Sequence, residues 1–415
     1  MSSQLSASAV ALPPSTSVAV GGPTTDSPRS PDAPRSFWRR ALGDAFARYG
    51  ARIGAAWVIL LAFCGVFAPF IANTHPLLLK MDGQWSMPLF RHLTPGDVVL
   101  LFATAMAALA YFGMRGFRPS QRLYIVVGAV LLMIPLARWF VTPPITVNYS
   151  QYREAEKAGR VQYILRTPVR YSPTDYLRDL PDRRLSPPTR HHWMGTERDS
   201  ADVLSRMIHA ARIALTIGFI STGIAVAIGV VVGGLMGFYA GTVDIIGMRL
   251  IEIFESIPTL VLLLTIVAVF ERNIYLMMAI IGLTGWTSNA RFVRAEFLRL
   301  RKQDFVQAAI AAGLPRRSVI FRHMLPNGVA PVLVSASFGV AAAILIESVL
   351  SFLGLGLVQE PSWGGMLNQA RNEGGAFSWW MAIFPGTAIF LTVFAYNLIG
   401  ESLRDALDPK LRKLD

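Results

Sequence analysis

Eight stretches of this chain are apolar over lengths close to the roughly 20 residues that a helix needs to cross a bilayer core. They run Ile53–Ala72, Val98–Met114, Leu123–Val141, Ile213–Tyr239, Ile257–Phe270, Tyr275–Ala290, Val329–Leu357 and Trp379–Ile399. Backbone polar groups in lipid must be satisfied within the segment, so runs of this kind fold as helices. Composition agrees: 53% of the 415 residues are hydrophobic and 16% are charged, against about 25% charged in a soluble domain. The expected fold is all-α, a polytopic transmembrane bundle of about eight spans.

The net charge, 39 − 26 = +13, does not point to nucleic acid, because no aromatic stacking face or reader motif accompanies it. The Arg and Lys residues gather between the apolar runs instead. With the amino end inside, Arg115, Arg118 and Arg122 fall in a cytoplasmic turn, Arg291 to Arg322 in a cytoplasmic loop, and Arg404 to Lys413 in a cytoplasmic tail. Both termini are then cytoplasmic, and Thr142–Arg206, with 11 basic and 8 acidic residues, forms an extracytoplasmic lobe. Residues 1–36 are rich in Ser and Pro and read as a disordered cytoplasmic tail, and 37–52 as an interfacial amphipathic helix built on Trp38, Leu42, Phe46 and Tyr49. The rest divides into an N-terminal membrane region at 53–141, a transmembrane core at 207–405 and a tail at 406–415. Helices two and three form an extra pair with no assigned role.

No catalytic constellation emerges. The chain lacks a GxxxxGK[ST] phosphate loop, HExxH and GxSxG, its single Cys64 excludes an intrachain disulfide, and only His191 and His192 are adjacent, beside Trp193 on an expected loop surface. Gly229, Gly233 and Gly237, four apart, let another helix approach closely. Three carboxylates, Glu252, Glu255 and Glu347, lie in or beside apolar runs. A carboxylate facing lipid at mid-span costs roughly 2.5 to 3.5 kcal/mol on insertion scales, so Glu347 is expected to face protein or a water-filled path.

The segment 304–326 has a helix-turn-helix pattern. Asp304 can cap a short helix whose alanines at 308, 309, 311 and 312 keep it slim, Gly313 can end it in the left-handed region, Pro315 suits the first turn of a second helix, and Pro326 would stop that helix. A slim helix of this kind can enter a groove on another protein.

Gln307-Ala308-Ala309, Gly313 and His323-Met-Leu325-Pro326 resemble the Glu-Ala-Ala loop of binding-protein-dependent ABC importer permeases. Gly195-Thr-Glu197, Asp202 to Arg206, Ser256-Ile-Pro258, Glu347 to Gly356, Pro361 to Gly364 and Asn397 to Pro409 are similar to the oligopeptide/dipeptide (OppC/DppC-like) branch, so the likeness runs from about 190 to 410. Residues 71–89 resemble a sub-branch importing microcin C and other peptides. Gln307 replaces the usual acid of the loop, Ala201 replaces a common Arg, and relatives usually have six spans.

The resemblance implies a type I (MetI-like) permease of the bacterial inner membrane that moves peptides and is not itself an enzyme. It also implies a second, different permease chain, two cytoplasmic ATPases carrying the ATP, and an extracytoplasmic substrate-binding protein. This chain itself binds no cofactor or metal, and its surroundings are lipid. Gln307, Ala308, Ala309, Gly313, His323, Leu325 and Pro326 would then couple it to the ATPases. The competing reading is a secondary transporter using the intramembrane carboxylates.

Overall fold

A computed structural model describes residues 43–407, without 115, 145–146, 181–182, 271, 358–359 and 373–376, and with the backbone alone at 329–330 and 371–372. The expected tail at 1–36, the first part of the interfacial helix and residues 408–415 lie outside the described residues. Residues 43–47 are helical, but the chain breaks at Arg48. Residues 49–52 belong to the first span, α1 (Tyr49–Ile71), not to an interfacial helix.

Six helices among the described residues are long and apolar enough to cross a membrane: α1, α3 (Pro95–Phe112), α4 (Pro119–Phe140), α6 (Val203–Tyr239), α12 (Leu325–Phe352, the apolar part from Pro331) and α14 (Trp379–Leu407). A seventh crossing is made only if α7 (Gly241–Ser256) and α8 (Thr259–Val269), bent by 71° at Pro258, count as one. This corrects the expected eight. The fifth apolar run is an 11-residue helix, about 16 Å long and too short to cross alone. The sixth lies inside the 27-residue α9 (Ile274–Leu300), long enough but polar from Thr284 onward, with Arg291, Arg294 and Arg299 in its second half.

The bundle is built on close backbone approach. A Cβ at Gly233 would sit 2.3 Å from the Ala290 carbonyl, one at Gly229 2.5 Å from Asn289 Cβ, and one at Gly237 2.5 Å from Phe297 Cβ. The glycine row of α6 thus lies directly on α9, as the spacing implies. At Gly54 of α1 a Cβ would meet the Ala395 carbonyl of α14 at 2.6 Å. Leu61, Ala214, Ile344, Ile389 and Tyr396 complete a shared core of α1, α6, α12 and α14.

Outside the helices stands a small lobe. Strands β1 (Leu78–Met81), β2 (Gln84–Ser86) and β3 (Val161–Leu165) form an antiparallel sheet of order β2-β1-β3, flanked by α2 (Pro88–Arg91) and α5 (Gln151–Lys157). The lobe therefore takes in 73–94 as well as 142–206. Thr74 Oγ1 donates to Asp175 at 2.7 Å, and Arg153 pairs with both Asp175 and Asp179. That pairing holds the Asp179 carboxyl below its usual range. His192 is not a surface residue: it is buried, 2.8 Å from Asp202 through Nδ1 and stacked on Tyr171 at 4.6 Å. Asp202 also caps α6 by accepting from the Ser205 N–H at 2.9 Å.

The lobe is seated on the bundle by the Gly195-Thr-Glu197 turn. Gly195 has φ +79°, and a Cβ there would strike the Trp380 ring at 2.9 Å. Trp380 Nε1 donates to the Thr196 carbonyl at 3.1 Å, and Arg206 lies 3.0 Å from buried Glu197, whose carboxyl is pushed above its ordinary range by burial.

Candidate functional site

The segment 304–326 opens with α10 (Asp304–Ala311) at the end of the bundle opposite the lobe. Gln303, not Asp304, is the cap residue and makes no side-chain cap bond; Asp304 lies in the first turn, where its charge suits the helix dipole. The helix ends in a Schellman turn: Leu314 N–H reaches the Ala309 carbonyl at 3.2 Å and Gly313 N–H the Ile310 carbonyl at 3.0 Å, with Gly313 at φ +72°. The left-handed glycine is where the sequence places it.

The second half departs from the expected hairpin. Pro315 is the cap, not the first turn, of α11 (Arg316–Ser318). A wider π turn over Val319–Met324, with Leu325 N–H bonded to the Ile320 carbonyl, leads straight into α12. Pro326 is in the first turn of α12, directly after the wider π turn, and stops no helix. From Arg316 onward the segment and the following span run as one continuous rod.

Burial sorts the loop residues. Ala309 is buried, together with Val306, Val319, Ile320 and Met324, against Phe238, Val293, Phe297 and Leu300 of α6 and α9. It cannot be the residue that enters a partner's groove, contrary to the expectation from its place in the motif. Phe305, Ile310, Leu314 and Phe321 are all exposed, as are Ala308 and Ala312, with Phe305 and Ile310 on opposite flanks of the buried Val306–Ala309 face. Gln307 is exposed and donates from Nε2 to the Arg301 carbonyl at 2.8 Å. His323 is half-buried, its carbonyl accepting from Asn327 at 2.6 Å, and Leu325 packs on the loop core while Pro326 is exposed. Helical period on eight residues, three of them Ala, could not say which alanine faced in.

Glu347 faces protein. It is 1% exposed, near the lobe end of α12, and accepts from Ser351 Oγ at 2.7 Å and Ser348 Oγ at 3.4 Å. Ser362, just before α13 (Trp363–Asn372), accepts from the Gly365 N–H at 3.0 Å. Among the described residues no cation pairs with it. Glu252 and Glu255 lie instead on the surface of α7, paired with Arg249 and Arg291. Asp244 is held by both nitrogens of the Arg294 fork across to α9. The carboxylates are thus dispersed and do not converge on one path, and no three metal-ligating side chains come together among the described residues.

A second polar contact escaped sequence reasoning. Asp97, in a reciprocal capping box with Thr94 at the start of α3, binds Arg212 of α6. The signal was present, since Thr-Pro-Gly-Asp before an apolar run is a capping-box pattern, but nothing marked Arg212 as its partner.

The family of binding-protein-dependent transport system inner membrane components matches over residues 229–413. The inner membrane ABC transporter permease protein YejE of Escherichia coli is 33% identical over 355 residues, 85% of this chain and 92% of its own length. The oligopeptide transport system permease protein OppC of Haemophilus influenzae is 42% identical over 224 residues, 54% of this chain and 71% of its own. The dipeptide transport system permease protein DppC of Bacillus subtilis is 36% identical over 244 residues, 58% and 76% respectively. Any unbroken 355-residue stretch of a 415-residue chain includes 61–355, so the likeness to the first protein takes in α3 and α4. The other two matches are too short to hold both α3 and the end of α14.

Proposed function

The chain belongs to the family of binding-protein-dependent ABC transport system inner membrane components, and from that premise we propose that its 304–326 segment is the dock for the ATPases that drive it. It is a multi-pass inner-membrane permease, not an enzyme, and ATP hydrolysis belongs to separate subunits. Its cargo is peptide, the class named for its oligopeptide, dipeptide and glutathione relatives. The dispersal of Glu252, Glu255 and Glu347 offers a proton-coupled secondary transporter no shared site.

One observation supports the docking reading above others: the short helix α10 stands at the end of the bundle away from the lobe, packed on α6 and α9, with the exposed apolar side chains Phe305, Ile310, Leu314 and Phe321 on and beside it. A surface with no partner has no reason to expose Phe305, Ile310, Leu314 and Phe321 on one small element. The positive charge around this end supports a cytoplasmic position for it and for both termini. The lobe then faces a substrate-binding protein, and a second, different permease chain completes the path. In this reading the loop turns ATP-driven closure of the ATPase pair into a change between inward-open and outward-open arrangements.

Ala309→Trp is not a clean test, because that position is filled by the chain's own core. Ala308→Trp and Ile310→Asp, on the outward face, are. Both should leave the protein at normal abundance yet strip the ATPases during purification in mild detergent and reduce uptake of a labelled mixture of di- to pentapeptides at least tenfold. Full uptake by Ala308→Trp would show that this face docks nothing.

A further inference from the structure

The sheet of the lobe is apolar on the face it turns outward. Directly paired residues share a face of a sheet, and so do residues two apart on one strand. The register pairs Lys80 with both Trp85 and Tyr163, and Leu78 with Leu165, so these five side chains lie together. Leu79 points to the opposite face and is 1% exposed. An antiparallel sheet with one face on a core ordinarily turns polar residues to water on the other. Here that face offers Trp85, Tyr163 and Leu165, all exposed. The Trp85 and Tyr163 rings are 5.8 Å apart, and Lys80 Nζ stands 5.5 Å from the centroid of the Trp85 ring. An exposed apolar patch of this kind marks a contact surface.

What covers it follows from where it sits. The sheet is tied to the end of α1: the Val169 N–H, four residues past β3, bonds to the Ile71 carbonyl at 2.9 Å, and the Leu77 N–H to the Leu165 carbonyl at 2.9 Å. On α1 the rings of Phe63 and Phe67 meet at 4.9 Å, and Phe70 continues that side of the helix. Phe70 in turn meets the ring of Phe90 in α2 edge-on at 5.9 Å, and Phe90 is exposed, as Phe63 is. Met87, also exposed, follows β2 directly. The apolar surface that the span turns to lipid therefore continues onto the lobe. The chemistry is that of a bilayer interface, where Trp and Tyr settle at headgroup level and a lysine lays its stem on apolar surface while its ammonium reaches polar groups. The headgroup layer is roughly 5 to 7 Å deep on each side, about the rise from Leu78 to Lys80 along a strand.

We propose that this sheet face is a lipid-binding surface resting in the headgroup layer of the lobe-side leaflet, with Leu78 and Leu165 toward the acyl boundary, Trp85 and Tyr163 at the interface, and the Lys80 ammonium on lipid phosphate. The lobe is then fixed to the bilayer as well as to the bundle. The surface needs no partner chain, so it stands independently of the docking and importer readings.

The test uses the full chain, with whatever copurifies, in nanodiscs of phosphatidylethanolamine and phosphatidylglycerol in equal parts. Cys64→Ser removes the native thiol, and Leu165→Cys, Tyr163→Cys or Gln84→Cys then carries a single NBD fluorophore. Gln84 is exposed on the same sheet but pairs with Met81, so it faces the other way. Lipid bearing a headgroup nitroxide should quench the probes at 165 and 163 roughly threefold more strongly than the probe at 84, and aqueous iodide should do the reverse. Trp85→Ser, with the probe at 165, should cut the lipid quenching about twofold, because an interfacial anchor is gone. Equal lipid quenching at all three positions, or none at 163 and 165, overturns the proposal. So does shielding of 163 and 165 from iodide without lipid quenching, whether at rest or on adding the substrate-binding protein, which would assign the face to a protein partner. Quenching unchanged by Trp85→Ser overturns it as well, since the face would lie near lipid without being held by it. Peptide uptake enters none of these readouts, so failure of the importer reading leaves the comparison intact.

Discussion

The α3–α4 hairpin and the α6–α9 pair are both long helical elements, yet they are held in opposite ways. In the apolar stretch of α6, 39% of residues are buried, against 11% in α3 and 6% in α4. Backbone lies on backbone between α6 and α9, through Gly229, Gly233 and Gly237. The hairpin meets the bundle chiefly at its lobe end, through the Asp97–Arg212 pair and a capping box, and its outward surface carries Tyr111, Phe112, Tyr124, Trp139 and Phe140. Apolar length therefore finds membrane helices without revealing which of them make the machine. α9, which fails on hydropathy, is more central than α3 or α4, which pass.

The sharpest way to break this contrast is a side chain at the helix crossing. Gly233→Val would place carbon 2.3 Å from a backbone carbonyl that cannot move without moving α9. The expected result is loss of folded protein from the membrane, read as failure to accumulate and to withstand mild detergent. The matching change in the hairpin, Gly128→Val, meets nothing within 4 Å and should leave abundance unchanged. Equal damage from both would show the hairpin to be as tightly packed as the core.

Next in size comes the polar attachment. Arg212 and Asp97 are 22% and 7% exposed in their side chains, so removing one partner leaves a nearly buried charge. Allowing for the exposed part of Arg212, the cost is roughly 2 to 3 kcal/mol. Arg212→Ala should loosen the hairpin, seen as faster hydrogen exchange over 95–140, with little change in α6 and α9. Asp97→Asn in the Arg212→Ala background should recover part of the loss, because the orphan charge is gone.

These two cases also show what could be read from the residues alone. The glycine spacing of four carried its own meaning, because a row on one helix face permits one kind of packing. Gly313 was equally legible, since a glycine after a short alanine helix has few other uses. What escaped were pairings set by tertiary placement: Asp97 with Arg212, His192 with Asp202, Thr196 with Trp380, and the inward turn of Ala309. Each joins residues whose partner is distant or whose helical face is ambiguous, and no local pattern encodes that choice. The span count was overstated because apolar length took the 11-residue α8 and the apolar first half of α9 for one crossing each.

The 304–326 segment falls between the two extremes, built on the core by apolar contacts but turned by a single glycine. Nothing lies within 4 Å of a Cβ at Gly313, so Gly313→Ala tests backbone conformation alone, at roughly 1 kcal/mol. It should weaken ATPase retention several-fold without affecting insertion.

The smallest expected effect concerns the lobe segment that ties the hairpin to α1. His75 is buried and stacks on His92 at 3.7 Å, between Tyr149 and Tyr152, with its Nδ1 unpaired. Burial, and then the neighbouring His92, lower its pKa to about 4, against a partial pull upward from Asp175. An unfolded histidine titrates near 6.5, so between about 6.5 and 4 the unfolded lobe binds a proton that the folded lobe refuses, and stability rises with pH across that window. The stabilisation is complete above pH 6.5 and is lost on acidification toward 4. Limited proteolysis of the purified protein should therefore cut 73–94 and 142–200 faster at pH 5 than at pH 7.5, while α6, α9 and α12 stay protected. His75→Phe keeps the stacking and removes the titration, so it should flatten most of the difference. Cleavage that is faster at pH 7.5, or a pH dependence that His75→Phe leaves intact, would place the sensitivity elsewhere and leave the hairpin's attachment independent of this stack.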